Sequence, residues 1–383
     1  MSVITAIKDC FANERVNLGR QSELDLGRAI PVFCLPFVHT VIECTPVERI
    51  DEPIPWFFNI LIGQPFGAPM FIFAMGACLL YTRYSDAKSI QKRGLMLFLA
   101  GFLLNFCRFV VPYLIGYAIT GETEKFIDPI FYKWFGNDIL QFAGLSMMLL
   151  GTLIGAHVSN VMLLVIAGAM SIFGSLVRHV DFGITPLNIA LGHFIGTQED
   201  NGFVMSDFPL MNWFILPVCG YLFGKVLLRL KDKVTFYKIV SPIIIIAYTV
   251  FFVWECMHDI GQVGKGATLV DSENAYYHIL WYDVLGFIIF DIGILGLWYY
   301  LMNHFPKWLF DFCTALSRNI TRVYVIHWIF VTVLTNVVFY VIRGTQEMPI
   351  GPTLLLSVVI LAFTFPLALL WEKKSRERKE RKG

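Results

Sequence analysis

Ten stretches of this chain, at about 27–45, 60–82, 94–119, 139–156, 160–177, 209–228, 238–257, 280–301, 319–342 and 350–371, are apolar over roughly the twenty residues that a helix needs to cross a bilayer. In lipid such a segment must satisfy its backbone hydrogen bonds internally, which leaves the helix as its natural form. The pattern predicts an all-α, polytopic integral membrane protein with about ten transmembrane helices. Composition agrees, because 56% of the 383 residues are hydrophobic and only 15% are charged, against roughly 25% charged in a soluble domain. A secreted disulfide scaffold, a nucleic-acid binder and a doubly wound soluble enzyme are excluded. The eight cysteines form no CxxC pair and read as small apolar residues, with no metal site.

The few charges set the topology. Ten helices place both termini on one side, and the loops assigned to that side hold twenty-three of the thirty Lys and Arg residues, including Lys8, Arg15, Arg20, Lys225, Arg229 and the run WEKKSRERKERKG. The opposite loops hold Arg49, Lys125, Lys133, Arg178, Lys265 and Arg343. This is the asymmetry of the positive-inside rule, so both termini are expected in the cytoplasm and the chain in a cell (inner) membrane. The expected organisation is a cytoplasmic segment 1–26, one transmembrane domain 27–371 and a basic tail 372–383. No small-residue cleavage site bounds the first apolar run, so insertion is expected to be directed by the helices themselves. Segment 178–208 contains an apolar stretch, 183–196, that is too short to span and reads as a re-entrant or lid element. The non-cytoplasmic loops are rich in acids, among them Asp51, Glu122, Asp200, Asp259, Asp271 and Glu273, a face that repels strongly anionic molecules.

Ionisable groups inside the apolar windows are costly and are therefore functional candidates. Arg28 and His39 are eleven residues apart, which puts them on one helix face about 16 Å apart, with Pro31 and Pro36 between them. Asn105 and Arg108 lie one turn apart in the third window. Candidate partners for the arginine are Glu43, Glu255, Asp283 and Asp291. His327 is one to two turns inside the ninth window, and Gln141 is a polar residue early in the fourth. Each also has a purely structural reading as an interhelical hydrogen bond or ion pair. No GxxxxGK[ST], HExxH, GxSxG or GxGxxG motif is present.

Several segments carry a resemblance. LDLGRAIPVFCLPFVH (25–39 with Leu24) is similar to the first-helix signature of the acyltransferase-3 family, an arginine and a histidine eleven residues on. PMFIFAMGA (69–77) resembles that family's second-helix aromatic run. KRGLMLFLAGFLLN (92–105), DILQFAGLSMMLLG (138–151) and FPLMNWFILPVCGYLFGK (208–225) resemble the heparan-α-glucosaminide N-acetyltransferase-like branch. RNITRVYVIHW (318–328) resembles a late helix of both. Where that branch commonly has Asn at the position of His39 and a histidine in the following loop, residues 46–58 here contain none.

The resemblance implies a membrane-embedded acyltransferase that moves an acyl group, usually acetyl, from cytoplasmic acyl-CoA to a hydroxyl or amine of an extracytoplasmic sugar or glycan. His39 is the expected catalytic group, as a base or as an acyl carrier. Arg28, Arg83, Lys88, Lys92, Arg93, Arg318, Arg322 and His327 are the expected cofactor-binding set, the cations suiting the nucleotide phosphates. Asn105, Arg108 and Gln141 are the expected polar groups for the acceptor or the thioester carbonyl. The expected partners are acetyl-CoA as donor substrate, a carbohydrate or glycolipid acceptor and the lipid bilayer. No metal and no nucleic acid are expected, and a homodimer is left open. The competing class is a secondary transporter of a small polar solute or glycolipid, which broken helices at Pro31/Pro36, Pro65/Pro69 and Pro217 also suit.

Overall fold

The computed structural model describes residues 2–199, 206–258 and 276–381. Lys265, Asp200, Asp259, Asp271, Glu273 and Lys382 lie outside these. Among the described residues the secondary structure is helical, with no strand beyond isolated bridges. Seven helices are long and apolar enough to cross a membrane: Ser22–Cys44, Ala87–Thr120, Leu210–Arg229, Lys233–His258, Trp281–His304, Ile320–Arg343 and Ile350–Glu380. Shorter apolar helices span Pro53–Ile62, Ala68–Tyr81, Ile139–Gly155 and Asn160–Leu176. The chain is a multi-pass membrane protein.

Most apolar windows become helices near their expected bounds, and the departures have local causes. The window 60–82 is interrupted between Ile62 and Ala68, where Gly63, Pro65, Gly67 and Pro69 crowd. A proline removes a backbone donor and crowds the preceding turn, so two helices replace one. The third helix starts at Ala87, earlier than its apolar core, because its first turns are good helix formers with cationic side chains. It stops at Thr120, where Gly121 takes the left-handed conformation at φ 74°. The last helix runs on through the basic tail to Glu380. Among the described residues of 178–208, helix is formed by Thr185–Gly192 alone, eight residues.

The chain divides into two compact units. The first comprises Met1–Gly27, Ala68–Phe102 and Phe135–Phe305. Its centre is the contact of Ala68–Cys78 with Leu210–Arg229, whose backbones nearly touch. A Cβ on Gly76 would lie 2.1 Å from the Pro217 carbonyl oxygen, and one on Gly220 would lie 1.9 Å from that of Phe73. Only glycine permits this approach. By contrast, Lys233–His258 leaves Ile243, Ile246, Val250 and Met257 exposed, a surface that lipid must cover. Glu23, fully buried, accepts from Lys233 Nζ at 2.6 Å and from the Tyr237 hydroxyl at 3.1 Å.

The second unit comprises Arg28–Gly67, Leu103–Trp134 and Pro306–Gly383. It contains three π-helical segments, Phe57–Ile62, Phe106–Val110 and Val333–Phe339. Such segments are rare and cluster at functional sites. An aromatic ladder, Phe109, Tyr113, Phe126 and Tyr340, ties its helices together with centroid steps of 5.9, 5.7 and 5.6 Å. These edge contacts suit the quadrupoles of the rings.

Candidate functional site

The second unit gathers four of the residues expected from the sequence. His39 comes from Ser22–Cys44, Asn105 and Arg108 from the helix that loosens into a π turn at Phe106–Val110, and His327 from Ile320–Thr332. His39 Nδ1 and His327 Nε2 are 2.8 Å apart. His327 Nδ1 lies 3.1 Å from the carbonyl oxygen of Val323, one turn earlier on the same helix.

These two distances fix the proton positions of the neutral pair. A carbonyl oxygen only accepts, so His327 Nδ1 carries its ring proton and Nε2 is left as an acceptor. His39 must then donate through Nδ1–H, and its Nε2 keeps a free lone pair. His327 is fully buried, whereas His39 is half-buried. The pair thus holds one basic nitrogen in a defined orientation on its more accessible member.

Trp328 completes the arrangement. Its ring stacks on the His39 imidazole at a centroid distance of 4.0 Å, and the Arg108 guanidinium lies 4.4 Å from its centroid. Phe109 offers a second ring to Arg108, at 4.5 Å. Arg108 Nε and Nη2 donate to Asn105 Oδ1 at 3.2 and 3.0 Å, and Asn105 Nδ2 donates to the Trp134 carbonyl at 3.2 Å. A buried guanidinium held by an amide oxygen and two aromatic faces is a stable way to keep positive charge at depth. Of the carboxylates considered as partners for Arg108, Glu43 belongs to this unit and accepts from Asn336 Nδ2 at 3.0 Å. Glu255, Asp283 and Asp291 belong to the first unit.

On the helix Ser22–Cys44, Phe33 and Phe37 lie about 120–180° around the axis from Arg28 and His39. Phe33 packs near Phe37 and Phe312, and Phe37 stacks on Phe58 at 5.7 Å. Arg28 is half-buried, Arg318 is exposed, and Arg322 donates to Asn319 Oδ1 at 2.8 Å. Outside the membrane-spanning helices, Lys125 donates to Gln346 Oε1 at 3.1 Å. Burial, followed by the charge of Lys133, holds it below the ordinary lysine range.

The remaining expected residues lie in the first unit. Arg83, Lys88 and Lys92 are exposed, and Arg93 reaches the Thr82 hydroxyl at 3.5 Å. Gln141 is fully buried, donates to the Gly136 carbonyl at 3.3 Å, and packs so tightly on Gly101 that a Cβ there would lie 2.5 Å from its amide. It belongs to the first unit, whereas His39, His327, Asn105 and Arg108 belong to the second.

Sequence reasoning missed Trp328, Phe109 and Asn59. Trp328 follows His327 directly in the His-Trp pair, and an aromatic next to an intramembrane histidine was the available signal. Asn59 is 2% exposed in the Phe57–Ile62 π segment, with neither side-chain polar atom hydrogen-bonded among the described residues. No periodicity marks either residue. The family model described as "Acyltransferase domain" (Acyl_transf_3) matches residues 21–371. A search of curated proteins returned no match.

Proposed function

Since the chain belongs to the acyltransferase-3 family and is a membrane acyltransferase, we propose that it takes an acyl group, acetyl first among the options, from acyl-CoA and transfers it to a hydroxyl or amine of an extracytoplasmic sugar or glycan. The observation that carries the catalytic assignment is the tautomer chain from Val323 through His327 to His39, which leaves His39 Nε2 as the free base. In this reading both termini are cytoplasmic. Arg28, Arg318 and Arg322 hold the phosphates of the donor, and its narrow pantetheine arm runs inward along the helix face that carries Arg28 and His39.

The acceptor O–H or N–H gives its proton to His39 Nε2 as the heteroatom bonds to the thioester carbonyl carbon. Collapse of the tetrahedral intermediate breaks the C–S bond, and the departing thiolate takes the proton from Nε2. His327 keeps its Nδ1 proton throughout and acts as a positioning residue. Arg108 supplies positive potential for the oxyanion. Glu43 and Asn336, one turn beyond His39 along the same path, suit a neutral polyol. Attack of Nε2 itself on the thioester would give an acyl-histidine, and the same free lone pair serves that route.

The test is turnover of acetyl-CoA by the purified full chain across a glycan panel. His39→Ala is expected to remove transfer by about a hundredfold or more while the protein remains folded. Near wild-type turnover by that variant refutes the assignment. Mass spectrometry of the protein quenched during turnover with a poor acceptor separates the routes, since only the covalent one leaves an acyl group on His39.

A further inference from the structure

The first unit contains a second feature, remote in sequence from the residues assigned above. A groove of about 630 Å³ is lined by Arg15, Lys225, Arg229 and Asn160, with Phe11, Leu222, Val226 and Leu228 supplying apolar walls. The volume lies within the range of small-molecule sites. No carboxylate lines it.

The fold builds this concentration of charge. After the short helix Val3–Asp9 the chain lies across the C-terminal end of Leu210–Arg229. Ala12 N donates to the Arg229 carbonyl at 2.8 Å, Val16 N to the Leu228 carbonyl at 2.8 Å, and Asn17 Nδ2 to the Leu227 carbonyl at 3.1 Å. The last carbonyls of that helix are thereby satisfied by main chain and amide, and Arg15 is fixed beside Lys225 and Arg229. Arg15 is close enough for its charge to act on both Lys225 and Tyr221. Lys225 Nζ donates to Asn160 Oδ1 at 2.6 Å and lies 4.7 Å from the Tyr221 ring. Among the described residues none of the three cations pairs with a carboxylate.

Three like charges facing one groove repel unless an anion joins them. The groove's surroundings indicate what kind. Asn160 begins the Asn160–Leu176 helix, and the next residues, Val161, Met162, Leu164 and Val165, are exposed apolar side chains that face lipid. An anion with an attached hydrocarbon chain satisfies both halves, with its phosphate among the cations and its chain along that helix. We propose that this groove binds the phosphate headgroup of an acidic phospholipid drawn from the surrounding leaflet. A basic cluster at the membrane surface is the usual recognition chemistry for such lipids, and guanidinium groups chelate phosphate oxygens well.

The experiment uses the purified full chain in a neutral detergent, with thermal unfolding and native mass spectrometry as readouts. Phosphatidylglycerol, phosphatidylcholine and coenzyme A are added in separate arms. Phosphatidylglycerol is expected to raise the melting temperature and to be retained as a bound adduct, while phosphatidylcholine has little effect. Binding is expected to weaken about fivefold for each cation removed in Arg15→Gln, Lys225→Gln and Arg229→Gln. Arg15→Gln alone leaves every main-chain bond of the crossing segment in place and guards against a folding defect. Equal retention of phosphatidylglycerol by the wild type and the triple variant overturns the proposal, as does equal stabilisation by phosphatidylcholine. Competition by coenzyme A that the triple variant abolishes also overturns it, by assigning the groove to the nucleotide. His39→Ala, which tests the acyl-transfer reading, should leave lipid retention unchanged.

Discussion

Replacing Trp328 with leucine removes a side chain that touches both the proposed base and the buried cation. The stacked contact with His39 at 4.0 Å is of a kind worth about 0.5–1.5 kcal/mol beyond its area. The Arg108 contact at 4.4 Å, desolvated by the burial of Arg108, is worth about 2 kcal/mol. Together they predict a loss of about 3 kcal/mol, which is roughly a hundredfold in rate if it falls on the orientation of His39. Trp328→Phe retains a π face and should recover most of that. The decisive assay is a double-mutant cycle of Trp328→Leu with Arg108→Gln, read in kcat for acetyl-CoA turnover and in thermal unfolding. The two should couple by about 2 kcal/mol. Strict additivity, or a phenylalanine variant no better than leucine, would show that the indole merely fills space.

His327→Ala leaves His39 without an acceptor for Nδ1–H, so kcat should fall by about ten- to a hundredfold with KM for acetyl-CoA nearly unchanged, and His327→Gln should restore part of it. Asn59→Leu replaces a buried amide with two unpartnered atoms and is expected to stabilise the protein by about 1–2 kcal/mol in chemical denaturation; a destabilised variant argues that the amide is in use. Gly220→Ala drives a methyl group into the Phe73 carbonyl and should cost about 3 kcal/mol or more, visible as lost yield and a lower melting temperature. His278, fully buried in the segment before Trp281, has its pKa pushed down from the ordinary 6.5 to about 3, first by burial and then by His179, whose Nδ1 is 3.2 Å away. The unfolded chain takes up this proton below about pH 6.5 while the folded one does not, so stability falls as pH drops. At pH 5 the loss is about 2 kcal/mol, measurable as faster hydrogen exchange in 178–199 and flattened by His278→Gln.

The long helices were legible because lipid imposes one rule on every residue of a span, and the apolar windows reflect it directly. The group His39, Asn105, Arg108 and His327 was legible for the complementary reason, that polar atoms at depth are expensive and rarely idle. The contacts that organise them were not. Arg108 meets two rings and the Asn105 amide oxygen, contacts that charge counting does not look for, and stacking on Trp328 leaves no trace in residue spacing. Gln141 shows the limit from the other side, since a lone amide in a span reads alike whatever it meets, and its tight packing on Gly101 leaves no mark on residue spacing.

The π segments carry a consequence for how this protein tolerates change in length. Phe106–Val110 and Val333–Phe339 each widen a helix where it carries or follows site residues, and a π turn is in effect one residue more than the α ladder requires. A deletion of one residue there is therefore absorbed locally. The wide turn closes into the α ladder and the helix beyond keeps nearly its original phase, so Pro112 and Tyr113 in the first helix, and Tyr340 in the second, stay on the faces that build the aromatic ladder. The same deletion in a plain α segment has no spare residue to give up and turns everything beyond it by about 100° around the axis. The wide turns are thus the places where these two helices can lose a residue and keep the ladder in register, a distinction that no hydropathy profile registers.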